Sequence, residues 1–307
     1  MERREFLKRL ATLGLVAGAG RWLVMPEELW AMGPLTPPAP PLLAKAQGTN
    51  WAHLVGDALQ ALGGLKKFVN PGEVVVVKPN MAWDRTPELG ANAHPVVVRK
   101  VVELCLEVGA KQVKVLDRTC HDPRKTYLSS GIKAAVEGIK DPRAVVEFVD
   151  ERRFVEVKVE KARALKKWYF YKDILEADRF INIPVAKHHS EARLTMCLKN
   201  MMGAIGGWRG RIHVGLHQNI ADMNLILRPD LHVLDATRIM LRNGPSGGRL
   251  EDVEVRNLVF AGTDPVALDA YGTTLFGLKP EDIGHITRAH ELGRGEMNLV
   301  KIKLVTA

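Results

Sequence analysis

Lys187, His188 and His189 stand together directly after an apolar run, Phe180-Ile181-Asn182-Ile183. Three such groups on a loop at a strand exit can orient an anion, move a proton or hold a metal. Next comes LTMCLKNMMGAI, an apolar stretch with Lys199-Asn200 in its middle. A lysine there must reach water or meet a partner. If buried, it gives up its proton more readily and becomes a base or nucleophile.

Arg211, His213 and His217 follow in WRGRIHVGLHQN. Arg211 with His213 reads as a pair of anion contacts. His213 and His217 are four apart, so on one helix they would share a face and could ligate zinc. Gly215 between them works against that helix. The metal candidates are therefore His188, His189, His213 and His217. Lys78, Asn80, Lys187, Asn200 and Arg211 are the candidates for holding substrate. Lys199, His189, His213 and Asp235 are the candidates for catalysis, the histidines moving a proton and Asp235 orienting or sharing it.

These residues need elements to position them. Residues 73–78, EVVVVK, form a β-branched run typical of a strand covered on both faces. A loop leads to Pro95, which opens a helix that ends at Gly109. A strand at 113–116 completes a β-loop-α-β unit, the signature of a parallel sheet. Helices are expected over 125–137, 194–205 and 216–227, and after Pro265 and Pro280. Strands are expected over 144–149, 179–185, 231–234, 257–261 and 298–305. Residues 154–159 and 168–171 form a small β excursion. The fold class is α/β: a mostly parallel sheet with helices on both faces, in a single main domain. In such sheets ligands sit beyond the carboxyl ends of the strands. Lys78-Pro79-Asn80, Asp117-Arg118, Lys187-His188-His189, Asp235 and Asp264 all fall at those ends. The NGPSGG loop at 243–248 lacks a nucleotide-binding spacing and reads as an ordinary connection.

The chain has 307 residues and a net charge of +9. Its first 32 residues hold five basic and four acidic side chains, which leaves +8 for the body and favours anionic ligands. Aromatics are only 6%, and no zinc-finger or RNA-binding motif is present, which argues against nucleic acid. The three cysteines, Cys105, Cys120 and Cys197, exclude a complete four-cysteine iron–sulfur cluster within this chain. Cys105 lies in an apolar helix, whereas Cys120 and Cys197 stand beside candidate site loops with roles left open.

Residues 1–32 begin MERREFLKRLATLGLVAGAG. Arg3-Arg4, a Phe-Leu-Lys context and a weakly apolar Ala/Gly core resemble a twin-arginine export signal. The expectation is an exported protein, handled by the twin-arginine machinery and touching the membrane only through this segment. Residues 33–50 read as a Pro-rich linker, with the domain running over 51–307.

VVVKPNMA at 75–82, HPVVVRKVVELCLEVGAKQVKVLD at 94–117 and INIPVAKHHSEARLTMCLKNMMGAI at 181–205 resemble the family named domain of unknown function 362. So do RIHVGLHQNIADMNLILRPDLHVLDA at 211–236, NGPSGG and AGTDPVALDAYGTTLFG at 261–277. The resemblance implies shared polar positions at Lys78, Asn80, Lys187, His189, Lys199, Asn200, Arg211, His213 and Asp235, with no settled role. Many family members carry an added ferredoxin-like, cysteine-rich segment that implies redox partner proteins, and this chain lacks those cysteines. Two functions stand: an enzyme acting on a small anionic substrate, with a metal ion as a further candidate, or a non-catalytic anion- or metal-binding protein or redox accessory subunit.

Overall fold

The computed structural model describes residues 40–307. The segment read as an export signal and the start of the expected linker lie outside the described residues. Strand β1 (Leu42–Gln47) precedes helix α1 (Trp51–Ala61), β2 (Val74–Pro79), α2 (Pro95–Val108) and β3 (Gln112–Val115). Helices α3 (Pro123–Ser129) and α4 (Ile132–Glu137) lead to β4 (Ala144–Val146). The excursion is a separate antiparallel pair, β5 (Phe154–Lys158) and β6 (Lys167–Tyr171), followed by α5 (Lys172–Glu176). Strand β7 (Arg179–Ile183) resumes after Pro184 as β8 (Val185–His189), which pairs with β9 (Arg193–Thr195). Then come α6 (Cys197–Asn200), α7 (Leu216–Met223), β10 (Leu231–Met240) and β11 (Val253–Gly262). Helices α8 (Pro265–Thr273) and α9 (Gly284–Glu291) precede β12 (Lys303–Thr306).

The main sheet runs β12-β1-β11-β10-β7-β2-β3-β4, with β8 beside β10 and β9 beside β8. Parallel pairing dominates, and β11 is antiparallel to both β1 and β10. Side chains alternate across β2, so Val75 and Val77 enter one apolar cluster and Val76 the other. Helix α2 covers the first face through Val97, Val98 and Val101, while Ile220 of α7 and Val266 of α8 cover the second. Helices on both faces explain why β2 is a continuous apolar run rather than an alternating one. Among the described residues, no helix is long and apolar enough to cross a membrane.

Several expected boundaries are corrected. The linker does not extend to residue 50, because β1 is a sheet strand buried at Leu43, Ala44 and Ala46. Lys187-His188-His189 is not a loop but the end of β8. The helix expected over 125–137 breaks at Gly131, whose φ of 72° is a left-handed conformation. The strand beginning at Leu231 runs on past Asp235 to Met240, held by β11.

The helix expected over 194–205 is instead the end of β9, the four-residue α6 and a 3-10 turn at Met201–Ala204. An apolar stretch buried on all sides has no periodicity to mark helix length. Asp269 of α8 fixes where α6 starts: its carboxylate accepts from the Cys197 and Leu198 N–H groups at 2.7 and 3.0 Å. Asp269→Ala should leave both donors buried without partners. The expected cost is about 2 kcal/mol of stability, read as a lower urea midpoint.

Candidate functional site

A cavity of about 410 Å³ opens beyond the carboxyl ends of β2 and β3. Asn80, Asp117, Lys187, His189, Lys199, Asn200 and His213 are on its wall. Strand alternation sorts the three residues of β8. Lys187 and His189 share the cavity face, and His188 points the other way, where its Nδ1 accepts from the Gly244 N–H at 3.1 Å. The sequence grouped the three; the pleat separates them.

Behind Asp117 of the cavity lining lies Lys78, with 0% exposure, paired with that carboxylate at 2.7 Å. Desolvation lowers its proton affinity and the Asp117 charge opposes that shift. Gly203 makes the pair possible. A Cβ there would lie 1.8 Å from Asp117 Oδ1 and 2.8 Å from Lys78 Nζ. Asp117 Oδ2 also accepts from the Met81 N–H at 2.8 Å, which ties the loop after β2 to the pair.

Lys187 is held without a carboxylate. Its ammonium donates to Asn80 Oδ1 at 3.2 Å and to the Ala91 carbonyl. Asn80 in turn donates to Asn200 at 2.9 Å, Asn200 to Asn182 at 2.7 Å, and Asn182 meets His232 Nδ1 at 2.9 Å. This amide chain joins β2, α6, β7 and β10 in a fully buried network. Asn182 and His232 escaped the sequence reading; the signal was a lone amide inside the apolar run of β7.

Lys199 is 8% exposed, and its hydrogen-bond partner among the described residues is the thioether of Met202 at 3.4 Å. Burial brings Lys187 down to about 7 and Lys199 to about 8. Arg209, rather than Arg211, reaches the cavity. In a tight turn of about three residues per revolution, Arg209 and Arg211 fall on different sides. Arg209 binds the Arg118, Thr119 and Met202 carbonyls.

Three assignments from the sequence change. His189 Nδ1 accepts from the Glu191 and Ala192 N–H groups at 3.1 and 3.2 Å, so its proton is on Nε2. Desolvation, reinforced by Lys199 and Lys187, pushes this imidazole down to about 2. His189 is therefore set as a hydrogen-bond donor through Nε2. Asp235 is off the cavity: it accepts from the His94 N–H at 2.6 Å and from Thr237 at 2.9 and 2.7 Å, bracing the start of α2. His213 and His217 share no helix. His213 pairs with Glu191, while His217 stacks on His285 with ring centroids 5.5 Å apart. Among the described residues, no group of three or more His, Cys, Asp or Glu side chains is gathered closely enough to hold a metal ion.

An α/β domain with a cationic cavity at its strand ends is the class these features define. The chain belongs to the family described as Domain of unknown function (DUF362), whose model matches residues 75–274. It is 27% identical over 243 residues to "Thylakoid-associated protein sll1697" of Synechocystis sp., covering 76% of this chain and 73% of that one. A crystal structure of a Thermotoga maritima protein is 10% identical with a TM-score of 0.42, over 80% of this chain and 60% of that one. The lactate racemase apoprotein from Thermoanaerobacterium thermosaccharolyticum is 11% identical with a TM-score of 0.41, over 89% and 59%. The chain thus spans about three-fifths of the length of these two structures. They are too distant to lend it an activity.

The lysines set a pH dependence. Lys187 falls from 10.5 to about 7 on folding, so between those values the unfolded chain binds more protons. Stability from this group therefore rises with pH from about 7 to about 10.5 and is flat below 7. Urea midpoints of the wild type should climb over that window relative to those of Lys187→Met. Equal slopes would remove the shift.

Proposed function

We propose that the cavity binds a small anionic molecule and that the chain acts on it as an enzyme. One observation carries this reading: the Lys199 ammonium is buried on the cavity wall and, among the described residues, hydrogen-bonds to a thioether and has no carboxylate within ion-pair distance. A buried charge without a directly paired counter-charge is strongly unfavourable, and an anion in the cavity would supply a closer one than Glu191 does. Lys187 and Lys199 would hold the anion with Arg209, Asn80 and Asn200, and His189 would donate from Nε2. Each lysine titrates close enough to neutrality to give or take a proton during a reaction.

The second reading, a non-catalytic anion-binding protein or accessory subunit, is favoured by the neutral, locked state of His189 and the removal of Asp235 from the site. Mass spectrometry of small carboxylates and phosphates incubated with the full-length chain separates the two: an enzyme converts one of them, a carrier returns it unchanged. Export through the twin-arginine route is also proposed, on the Arg3-Arg4 pattern. Replacing both arginines by Lys should retain a tagged full-length chain in the cytoplasm.

Lys199→Met should do two opposite things. Without anion it should raise the unfolding midpoint, because the unpaired charge is gone. With inorganic phosphate as probe, affinity should fall by about 2 kcal/mol or more, roughly thirtyfold, in calorimetry. A variant that is less stable and binds phosphate as before would overturn the assignment.

A further inference from the structure

Burial pushes the Cys105 thiol up to about 12 and the Cys197 thiol well above its ordinary range. Cys120 differs, because it is exposed and stands on the cavity wall. Its turn is fixed. The Cys120 N–H donates to the Ala82 carbonyl at 2.8 Å, and the Arg209 guanidinium grips the carbonyls of Arg118 and Thr119 just before it. Lys199 is the independent sign of a ligand here: more than nine-tenths buried, without an oxygen partner among the described residues, and on the same wall.

We propose that Cys120 is the nucleophile of the cavity, forming a covalent bond with a small anion that carries an electrophilic carbon and a leaving group. Lys187, Lys199 and Arg209 hold the charged end, and the thiolate meets the carbon. The Sγ–C bond forms as the bond to the leaving group breaks, and that group departs with the electron pair. The thiol proton passes to solvent as the Sγ–C bond forms, so no oxidant or reductant enters the balance. The thiolate is the reactive form of cysteine. This inference rests on the anion-binding reading above.

The test alkylates the full-length chain with anionic iodoacetate and with neutral iodoacetamide at low salt, and locates the products by peptide mass spectrometry. Iodide is the leaving group in both. Cys120 should be the thiol modified in the folded chain. Its iodoacetate-to-iodoacetamide rate ratio should exceed that of the urea-unfolded chain by about tenfold or more, the scale of electrostatic steering into a charged cleft. Lys199→Met should erase the excess. If that variant folds poorly, about 1 M salt on the wild type should erase it instead, since charges are then screened within about 3 Å. Inorganic phosphate should slow the iodoacetate reaction. A folded-chain ratio equal to the unfolded one overturns the nucleophile. Phosphate binding that persists in calorimetry in that case leaves the anion site standing, and its absence removes both.

Discussion

The burial of lysine ammonium groups with too few carboxylates to match them is the constraint on which the site depends. Moving an ammonium out of water costs several kcal/mol unless oxygens replace its hydration. The three lysines resolve this differently. Lys78 takes the full charge of Asp117. Lys187 takes neutral oxygens from Asn80 and Ala91. Lys199 takes a sulfur. Compensation thus falls from Lys78 through Lys187 to Lys199, and Arg209, whose hydrogen bonds among the described residues go to backbone carbonyls, adds to the excess. Part of the body's positive charge is thus carried by the cavity wall, at Lys187, Lys199 and Arg209.

Neutral partners keep that excess in place. Carboxylates would satisfy the lysines and cancel the field; the Asn80 amide accepts from Lys187 without cancelling it, and Asn200 and Asn182 hold Asn80 in place. Because the amide chain crosses from β2 through α6 to β7 and ends on His232 of β10, sheet pairing and side-chain bonding hold the same geometry. Asp269 performs the corresponding task for α6, and Gly203 lets the next turn pack against the Lys78–Asp117 pair. A larger residue at 203 would press on the charge pair itself.

Much of this was legible in the sequence. The β-branched run of β2 and the Pro-to-Gly span of α2 announce a parallel α/β sheet. The strand-end rule picked out Asn80, Asp117 and Lys187, and the polar pair inside an apolar stretch picked out Lys199 and Asn200; all five line one cavity. What failed did so for physical reasons. Lys187, His188 and His189 are neighbours in sequence, and only the pleat reveals that the middle one faces away. Asp235 ends an apolar run as a catalytic carboxylate would, yet β10 continues through it and its oxygens are taken by His94 and Thr237. Arg209 was missed because a tight turn does not follow helical spacing. Asn182 was hidden by its apolar neighbours, although a lone amide in a buried strand requires a partner.

The account stands on Lys187 and Lys199 being buried cations that await a counter-charge. The most direct measurement is an NMR titration of the lysine side chains in isotopically labelled protein, with and without saturating inorganic phosphate. Two lysines should titrate near 7 and 8 in the free protein. Both should move upward when phosphate is present, because an anion stabilises the charged form. All lysines titrating near the ordinary 10.5, with no response to phosphate, would contradict the account.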